Sequence, residues 1–193
     1  MGGKIMSEEN SQKKIPGKSK FARESQVQMT EMVLPNDTNT LNNLMGGKLL
    51  HWMDIVSAIS AQRHANSHVV TASVDNVSFA HGIQLGNVVT LKAQVTRSFT
   101  SSMEVHIEVT AEDIPGGKIV ESNRAFFTFV AVDPLGKPKK IPELIPETDI
   151  EKELFESALR RRQLRLVLAK RMKPEDAKEL KSIFKLDKNN EQP

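Results

Sequence analysis

Apolar and polar side chains alternate in the middle of the chain, over residues 89–96 and 103–110. The apolar members of this pattern are Val89, Leu91, Ala93, Val95, Met103, Val105, Ile107 and Val109. A period of two is typical of antiparallel strands that have one buried face and one solvated face. Further strands are predicted at 25–34, 68–79 and 118–132, each bounded by a run rich in turn-forming residues.

A single long helix is predicted between the first of these strands and the others. Its apolar positions recur at intervals of three and four, as on one face of a helix. They are Leu49, Leu50, Met53, Val56 and Ile59. The helix should begin around Gly46 and Gly47 and end at about His64. One strand, one apolar helix and four further strands, in that order, predict an α+β fold in which an antiparallel sheet wraps a buried helix.

The two ends of the chain differ from this middle part. Residues 1–23 are rich in Lys, Ser and Gly and are predicted to be a disordered tail, which leaves 24–137 as the folded domain. Residues 138–193 begin as a Pro- and Lys-rich linker and continue as a helical extension. One helix is predicted at 149–172, with acidic residues first and Arg residues later, as the helix dipole favours, and a short one from Pro174.

Charge is segregated along the chain in a similar way. The net charge of +3 is made up of +3 in residues 1–25, −3 in 26–137 and +3 in 138–193. The Arg-rich helix therefore has an acidic core on which to dock. We expect it either to pack across neighbouring subunits and steady an assembly, or to stand as a solvated, independent helix. Because the positive charge lies in the tails and not on a folded face, no nucleic-acid partner is expected.

Composition disfavours several other classes of protein. The sequence has no stretch of about 18 apolar residues and no apolar signal segment, so neither a membrane span nor secretion is expected. It contains no Cys, which is consistent with a cytoplasmic location. His64 and His68 stand four apart without a third ligand, so no metal site and no cofactor are expected.

Two features of the predicted helix suit catalysis. Gly46 and Gly47 at its start leave backbone N–H groups unpaired, and such a helix start stabilises an oxygen with partial negative charge. The alternative is a plain tight turn into a helix. Asp54 follows about two turns later, flanked by Met53 and Ile55, where a carboxylate without a partner is desolvated and suits a general base. Its alternative place is the solvated edge of the helix.

The segment 34–54 carries a signature. Its elements are Asp37-Thr38-Asn39, Asn43 in a loop, Gly46-Gly47 and then Met53-Asp54. Their order and spacing resemble the signature of the acyl-CoA thioesterases of the hot-dog fold. Further matching blocks lie at 69–75, 102–105 and 125–132. The resemblance covers roughly residues 26–137 and does not extend into the C-terminal part.

The resemblance implies a hot-dog fold and the hydrolysis of acyl-CoA to a fatty acid and CoA by a homo-oligomer of hot-dog dimers, such as a hexamer. In that family a loop Asn or Asp and a helix Asp act together across a subunit interface, which implies Asn43 and Asp54 here. Family members usually have Gly where this chain has Asn42, and Asn tolerates the left-handed backbone that such a turn needs. Since Asn43 cannot be a base, Asp54 is left to activate water while Gly46 and Gly47 hold the thioester carbonyl.

The phosphates of CoA need cationic or hydroxyl partners. Arg97, Thr100, Ser101 and Ser102, near a predicted turn between strands, are candidates for this role. The alternative for these four residues is a solvated hairpin without a ligand.

Two rival functions remain open at this point. A dehydratase of the same fold would need a His beside the carboxylate, and no His adjoins the Asn43 loop in sequence. A non-catalytic acyl-CoA-binding regulator is the rival from another class. Release of CoA, measured on a panel of acyl lengths, separates these functions. The sequence does not give the acyl length, because the acyl tunnel depends on three-dimensional packing.

Overall fold

The computed structural model describes residues 19–75, 77 and 81–185. The strands are β1 (Ser19–Phe21), β2 (Val27–Met32), β3 (His68–Asp75), β4 (Val88–Ser98), β5 (Ser102–Asp113), β6 (Lys118–Val132) and β7 (Glu143–Ile145). The helices are α1 (Gly46–Ala65), α2 (Asp149–Leu168) and α3 (Lys178–Lys185). Single turns of 3-10 helix lie at Ala22–Ser25, Pro35–Asp37 and Pro174–Asp176. Residues 76 and 78–79, predicted to continue the strand from His68, lie outside the described residues.

Five of the strands form one antiparallel sheet in the order β2-β4-β5-β6-β3. Helix α1 packs against one face of this sheet and contacts each of the five strands. The strand before the helix and the strand after it therefore lie at opposite edges of the sheet. This confirms the predicted α+β hot-dog fold, in which the sheet wraps a central helix.

The residues predicted to point inward along β4 and β5 form the core. Val89, Leu91, Ala93, Val95, Met103, Val105, Ile107 and Val109 are each at most 1% exposed. Phe127 and Phe129 of β6 pack with them, as do Met53 and Val56 of α1. Burying one such side chain contributes about 1.5–3 kcal/mol. A slip of one residue would expose a whole row, so the alternation fixes the register of the sheet.

The N-terminal boundary differs from the prediction. Residues 1–18 lie outside the described part of the chain, but Ser19–Phe21, expected in the disordered tail, forms β1. This strand pairs in parallel with β7 of the C-terminal part. The pairing partner is more than 100 residues away in the sequence, as the register Ser19↔Glu143 shows. No local sequence pattern therefore predicts this strand.

The outer face of the sheet also differs from the prediction of a solvated surface. Helix α2 packs over β4, and Glu104 of β5 is only 1% exposed beneath it. The Arg161 guanidinium of α2 donates to both carboxylate oxygens of Glu104, at 2.7 and 3.0 Å, and the Thr96 hydroxyl donates to one of them at 2.8 Å. A buried carboxylate is stable there because the extension supplies its cation.

Helix α2 docks on the sheet of its own chain. Arg165 pairs with Asp75 at the end of β3, and Arg97 donates to the backbone carbonyl of Phe155 at 2.8 Å. The helix begins with a capping box, in which Thr148 accepts from the Glu151 N–H and Glu151 accepts from the Thr148 N–H. Docking on acidic residues of the core agrees with the charge argument, while a role across subunits stays a prediction.

Candidate functional site

A loop closed by asparagine side chains precedes α1. The Asn39 carboxamide oxygen accepts from the backbone N–H groups of Leu41 and Asn43, at 2.9 and 3.2 Å. The Asn39 N–H donates to the Asn43 carbonyl at 2.8 Å. Asn42 has a φ of 57°, the left-handed backbone for which Asn substitutes for Gly. The turn expected with Asn at this position therefore forms.

Asp37 ties this loop to the first turn of α1. Its carboxylate accepts from the Lys48 ammonium at 3.0 Å and from the Leu34 N–H at 3.2 Å. The Lys48 hydrogen bond holds the pKa of Asp37 below its usual range. The Asp37 carbonyl also accepts from the Met45 N–H at 2.9 Å, immediately before the helix.

Helix α1 begins at Gly46 without a side-chain cap among the described residues. Met45 precedes it in an extended conformation, and a Cβ added to Gly47 would meet no atom within 4 Å. The first turn of the helix therefore has no side-chain cap in the described part of the chain, and there is open space beside the Cα of Gly47. The unpaired N–H groups of a helix start stabilise an oxygen that carries developing negative charge.

A cavity of about 340 Å³ adjoins this helix start. It is lined by Asn39, Asn43, Leu44, Gly46, Leu49, His81, Gly82, Ile83 and Asn123. The structure thus brings together the predicted residues Asn43 and Gly46. It adds His81 and Asn123, which sequence reasoning had not selected, and Asn39, which belonged to the signature but had been given no role.

Asp54 does not line this cavity. It lies half-buried on α1 beside β3, where the Thr71 hydroxyl donates to one of its carboxylate oxygens at 2.8 Å. β3 is an edge strand of the sheet. Exposed apolar side chains lie on the same helix and on the helix-facing side of β3: Ile55, Ile59 and Val74 are between 37% and 43% exposed. Asp54 therefore stands beside exposed apolar side chains, and it is neither fully buried nor free in solvent.

His81 corrects one step of the sequence argument. No His is near Asn43 in sequence, yet His81 lines the same cavity. Three contacts bring its segment to the loop: the Leu44 N–H donates to the Ile83 carbonyl at 2.7 Å, the Leu85 N–H donates to the Asn42 carbonyl at 2.9 Å, and Asn43 forms an isolated bridge with Gln84. These are long-range contacts, so the local sequence carries no signal of them.

The four candidate CoA-binding residues have other partners. Besides its bond to the Phe155 carbonyl, the Arg97 guanidinium lies 4.0 Å from the centre of the Phe155 ring, and burial lowers the pKa of Arg97. The Ser102 hydroxyl accepts from Arg162 at 3.2 Å. The carbonyls of Thr100 and Ser101 accept from backbone N–H groups. None of the four lines the cavity, so their role with CoA stays a prediction.

The part of the chain that the structure describes contains no cluster of three or more His, Cys, Asp or Glu side chains arranged to hold a metal ion. None of its helices is both long enough and apolar enough to cross a membrane.

Residues 41–118 match the family model of the thioesterase superfamily. The chain is 42% identical to an uncharacterized acyl-CoA thioester hydrolase of Bacillus subtilis, over 74% of this chain and 83% of that protein. It is 43% identical to acyl-coenzyme A thioesterase 11 of Mus musculus over 79% of this chain, but it spans only 26% of that longer protein.

Solved structures give the same picture. A hexameric acyl-CoA thioesterase in the apo form superposes with a TM-score of 0.77 at 39% identity, over 79% of this chain and 97% of that one. An acyl-CoA hydrolase of Staphylococcus aureus, in complex with butyryl coenzyme A and coenzyme A, has a TM-score of 0.73 at 37% identity, over 79% and 94%. Structures of the Staphylococcus enzyme include variants in which one Asp, one Thr or one Asn is replaced by Ala.

Proposed function

Because this chain belongs to the acyl-CoA thioesterases of the hot-dog superfamily and is a thioester hydrolase, we propose that it cleaves acyl-CoA by attack of water in a site shared by two subunits. One observation supports a site formed by two subunits. The uncapped start of α1 and the asparagine loop surround a cavity that Asp54 of the same chain does not line. A facing subunit would bring its own Asp54 to that cavity.

The proposed reaction needs no group beyond these residues and water. The backbone N–H groups of Gly46 and Gly47 would receive the thioester carbonyl oxygen and stabilise its charge as the carbonyl carbon becomes tetrahedral. Asp54 of the facing subunit would take a proton from water as the water oxygen bonds to that carbon. When the C–S bond breaks, the proton passes to the sulfur, which leaves as the CoA thiol together with the free fatty acid. Asn43 would orient the water and the carbonyl.

A comparison with a relative adds Asn39 and Thr71 to the proposed site. The Asn, Asp and Thr that are replaced in the Staphylococcus variants are separated along that chain by the same intervals as Asn39, Asp54 and Thr71 here. Asn39 lines the cavity, and the Thr71 hydroxyl donates a hydrogen bond to Asp54. We therefore propose that Asn39 shares the orienting role with Asn43, and that Thr71 positions the base.

The exposed edge of the sheet supports an assembly of subunits. Pairing of two β3 strands would cover Val70 and Val74 and would remove an open edge, which folded proteins rarely leave unprotected. We propose a homo-oligomer of such dimers, as in the hexameric relative, and a cytoplasmic location, since one mouse relative carries the name cytosolic acyl coenzyme A thioester hydrolase.

The function is tested by release of CoA from acyl-CoA, followed with a thiol reagent. Asp54→Asn should lower kcat by at least the ~10²-fold typical of losing a general base, with little change in folding. Glu153→Gln, at an exposed carboxylate on α2, is the matched control and should behave as wild type. Wild-type turnover in a folded Asp54→Asn variant would remove Asp54 from the mechanism.

His81 keeps a dehydratase as the second candidate, because this His lies in the cavity wall with Asn43. Enoyl-CoA hydration conserves the thioester, whereas hydrolysis releases CoA. Incubation with a short 2-enoyl-CoA and with its saturated analogue distinguishes the two reactions. We expect CoA from both substrates, and accumulation of a hydroxyacyl-CoA without CoA release would favour the dehydratase.

A further inference from the structure

One polar residue interrupts the row of apolar side chains on the inner face of β6. Along this strand the inner face carries Ala125, Phe127, Phe129 and Ala131, all at most 1% exposed. The next inward position towards the start of the strand is Asn123, which pairs with the buried Val109 of β5. Directly opposed residues of an antiparallel pair point to the same side of a sheet. A carboxamide therefore takes a place where the pattern calls for an apolar side chain.

Asn123 forms part of the cavity at the helix start. It is only 3% exposed, and it lines the cavity with Gly46 and Asn43. The Ser122 hydroxyl donates to the Asn123 carboxamide oxygen at 2.6 Å and lies 3.5 Å from the His81 carbonyl. These contacts hold the carboxamide in place, so the polar wall is a fixed part of the cavity.

From this arrangement we infer that Asn123 determines acyl specificity and that the enzyme prefers short acyl groups over long unbranched ones. The inference rests on the proposed function, because it takes the cavity at Gly46 to receive the acyl thioester. The first carbons of the acyl group would contact Leu44, Leu49 and Ile83. A longer chain would bring its methylenes against Asn123.

The physical reason is the unequal burial of methylenes and amides. A methylene gains affinity only where it leaves water for apolar contacts, and a polar carboxamide in the wall offers less of that gain than an apolar side chain would. In an apolar pocket one methylene changes kcat/KM by about 10- to 200-fold. A methylene that lies against a carboxamide does not bring this increase. The value of kcat/KM should therefore stop rising with acyl length once the acyl group reaches Asn123.

The test compares kcat/KM for acetyl-, butyryl-, octanoyl-, lauroyl- and palmitoyl-CoA, measured by CoA release on the full chain. Wild type should have a higher kcat/KM with butyryl-CoA than with octanoyl-CoA or any longer substrate. Asn123→Val, which suits a strand and is apolar, should raise the octanoyl-to-butyryl ratio at least about tenfold. Asn123→Ala, which removes the carboxamide from the cavity wall, should shift the ratio in the same direction. It provides the test if the Val variant does not fold.

Thr128→Val is the matched control. Thr128 is a buried polar residue of the same strand, paired with Glu104 on the face that α2 covers, and it does not line the cavity. The octanoyl-to-butyryl ratio of the Thr128→Val variant should equal that of wild type. A wild-type preference for lauroyl- or palmitoyl-CoA, an unchanged ratio in folded Asn123 variants, or an equal shift in Thr128→Val would overturn the inference while leaving the hydrolase function intact. Absence of CoA release from every acyl-CoA would instead refute the proposed function.

Discussion

At the scale of single residues, the proposed base depends on one neighbour. Thr71 on the edge strand donates to Asp54 on the central helix at 2.8 Å. The hydroxyl fixes the direction of one carboxylate oxygen and leaves the other for water. A base that is held in position loses less freedom at the moment of reaction than one that rotates freely.

Removing this hydroxyl should therefore affect turnover. Thr71→Val keeps the size and the strand preference of the side chain and should lower kcat about tenfold, since a hydrogen bond to a charged group is worth about 1.5–3 kcal/mol. Thr71→Ser retains the donor and should recover most of the activity. Full activity in Thr71→Val, with thermal stability unchanged, would show that Asp54 needs no such support.

The sequence predicted part of this site for clear physical reasons. Gly46 and Asn43 lie in one contiguous segment, and a helix start and its loop can be recognised from local spacing. His81 and Asn123 reach the same cavity only through long-range strand pairing and loop contacts, which local spacing does not encode. Asn123 did leave a signal, because it breaks the apolar alternation of its strand.

At the scale of elements, the C-terminal extension belongs to the folded unit and was predicted only in part. The bounds of α1, β4, β5 and β6 follow from periodicity, since each element buries one face. The charge balance predicted an acidic core for α2 to dock on but not its place over β4, because the alternation of β5 shows Glu104 as an ordinary outward residue. Only the position of Arg161 reveals that this carboxylate is buried and paired.

Breaking that pair should loosen the extension. Arg161→Met leaves Glu104 buried without its cation, and loss of one partner of a buried ion pair typically costs about 3–5 kcal/mol. Since Arg161 is 22% exposed, we expect a value at or below the lower end of this range. Urea unfolding measures it. Lys152→Met removes an ion pair with Asp149, which is 99% exposed, and should cost well under about 1 kcal/mol. Equal costs for both variants would contradict the structural role of Glu104.

A buried histidine joins α1 to the linker before β7. The fully buried His64 lies 2.9 Å from the Pro142 carbonyl through Nε2, near Lys20 and Glu24. Burial holds the pKa of His64 below its usual value, so the native state resists a proton that the unfolded chain accepts below about pH 6.5. The free energy of unfolding should therefore fall as pH decreases from about 7 to 5, by at most about 1.4 kcal/mol per pH unit for this group.

The variant His64→Gln isolates that contribution. Its carboxamide can still donate to the Pro142 carbonyl, but it does not titrate, so stability should depend less steeply on pH than in wild type. Burial lowers the pKa of His106 as well, so some slope should remain. Urea midpoints measured between pH 5 and 7 test this, with His51→Gln, at an exposed position of α1, as control. A slope equal to that of wild type in His64→Gln would show that His64 carries no part of the acid sensitivity.

At the scale of the whole molecule, one chain presents two halves of a site at different places. The asparagine loop and the helix start surround the cavity, while Asp54 faces outward among exposed apolar side chains at the edge of the sheet. A two-fold dimer would cover that apolar surface and would bring each half to its complement. The central claim is therefore that one subunit supplies the loop and the other supplies the base.

Mixing two inactive variants tests this claim most directly. One is Asp54→Asn, and the other is whichever of Asn39→Ala and Asn43→Ala has lost activity while remaining folded. In a hybrid dimer one site carries both substitutions and the other carries neither. After demonstrated subunit exchange at equal concentrations, about half of the dimers are hybrids, so about a quarter of wild-type CoA release should return. If exchange is complete and activity stays at the level of the separate variants, both groups act within one chain and the shared site is wrong.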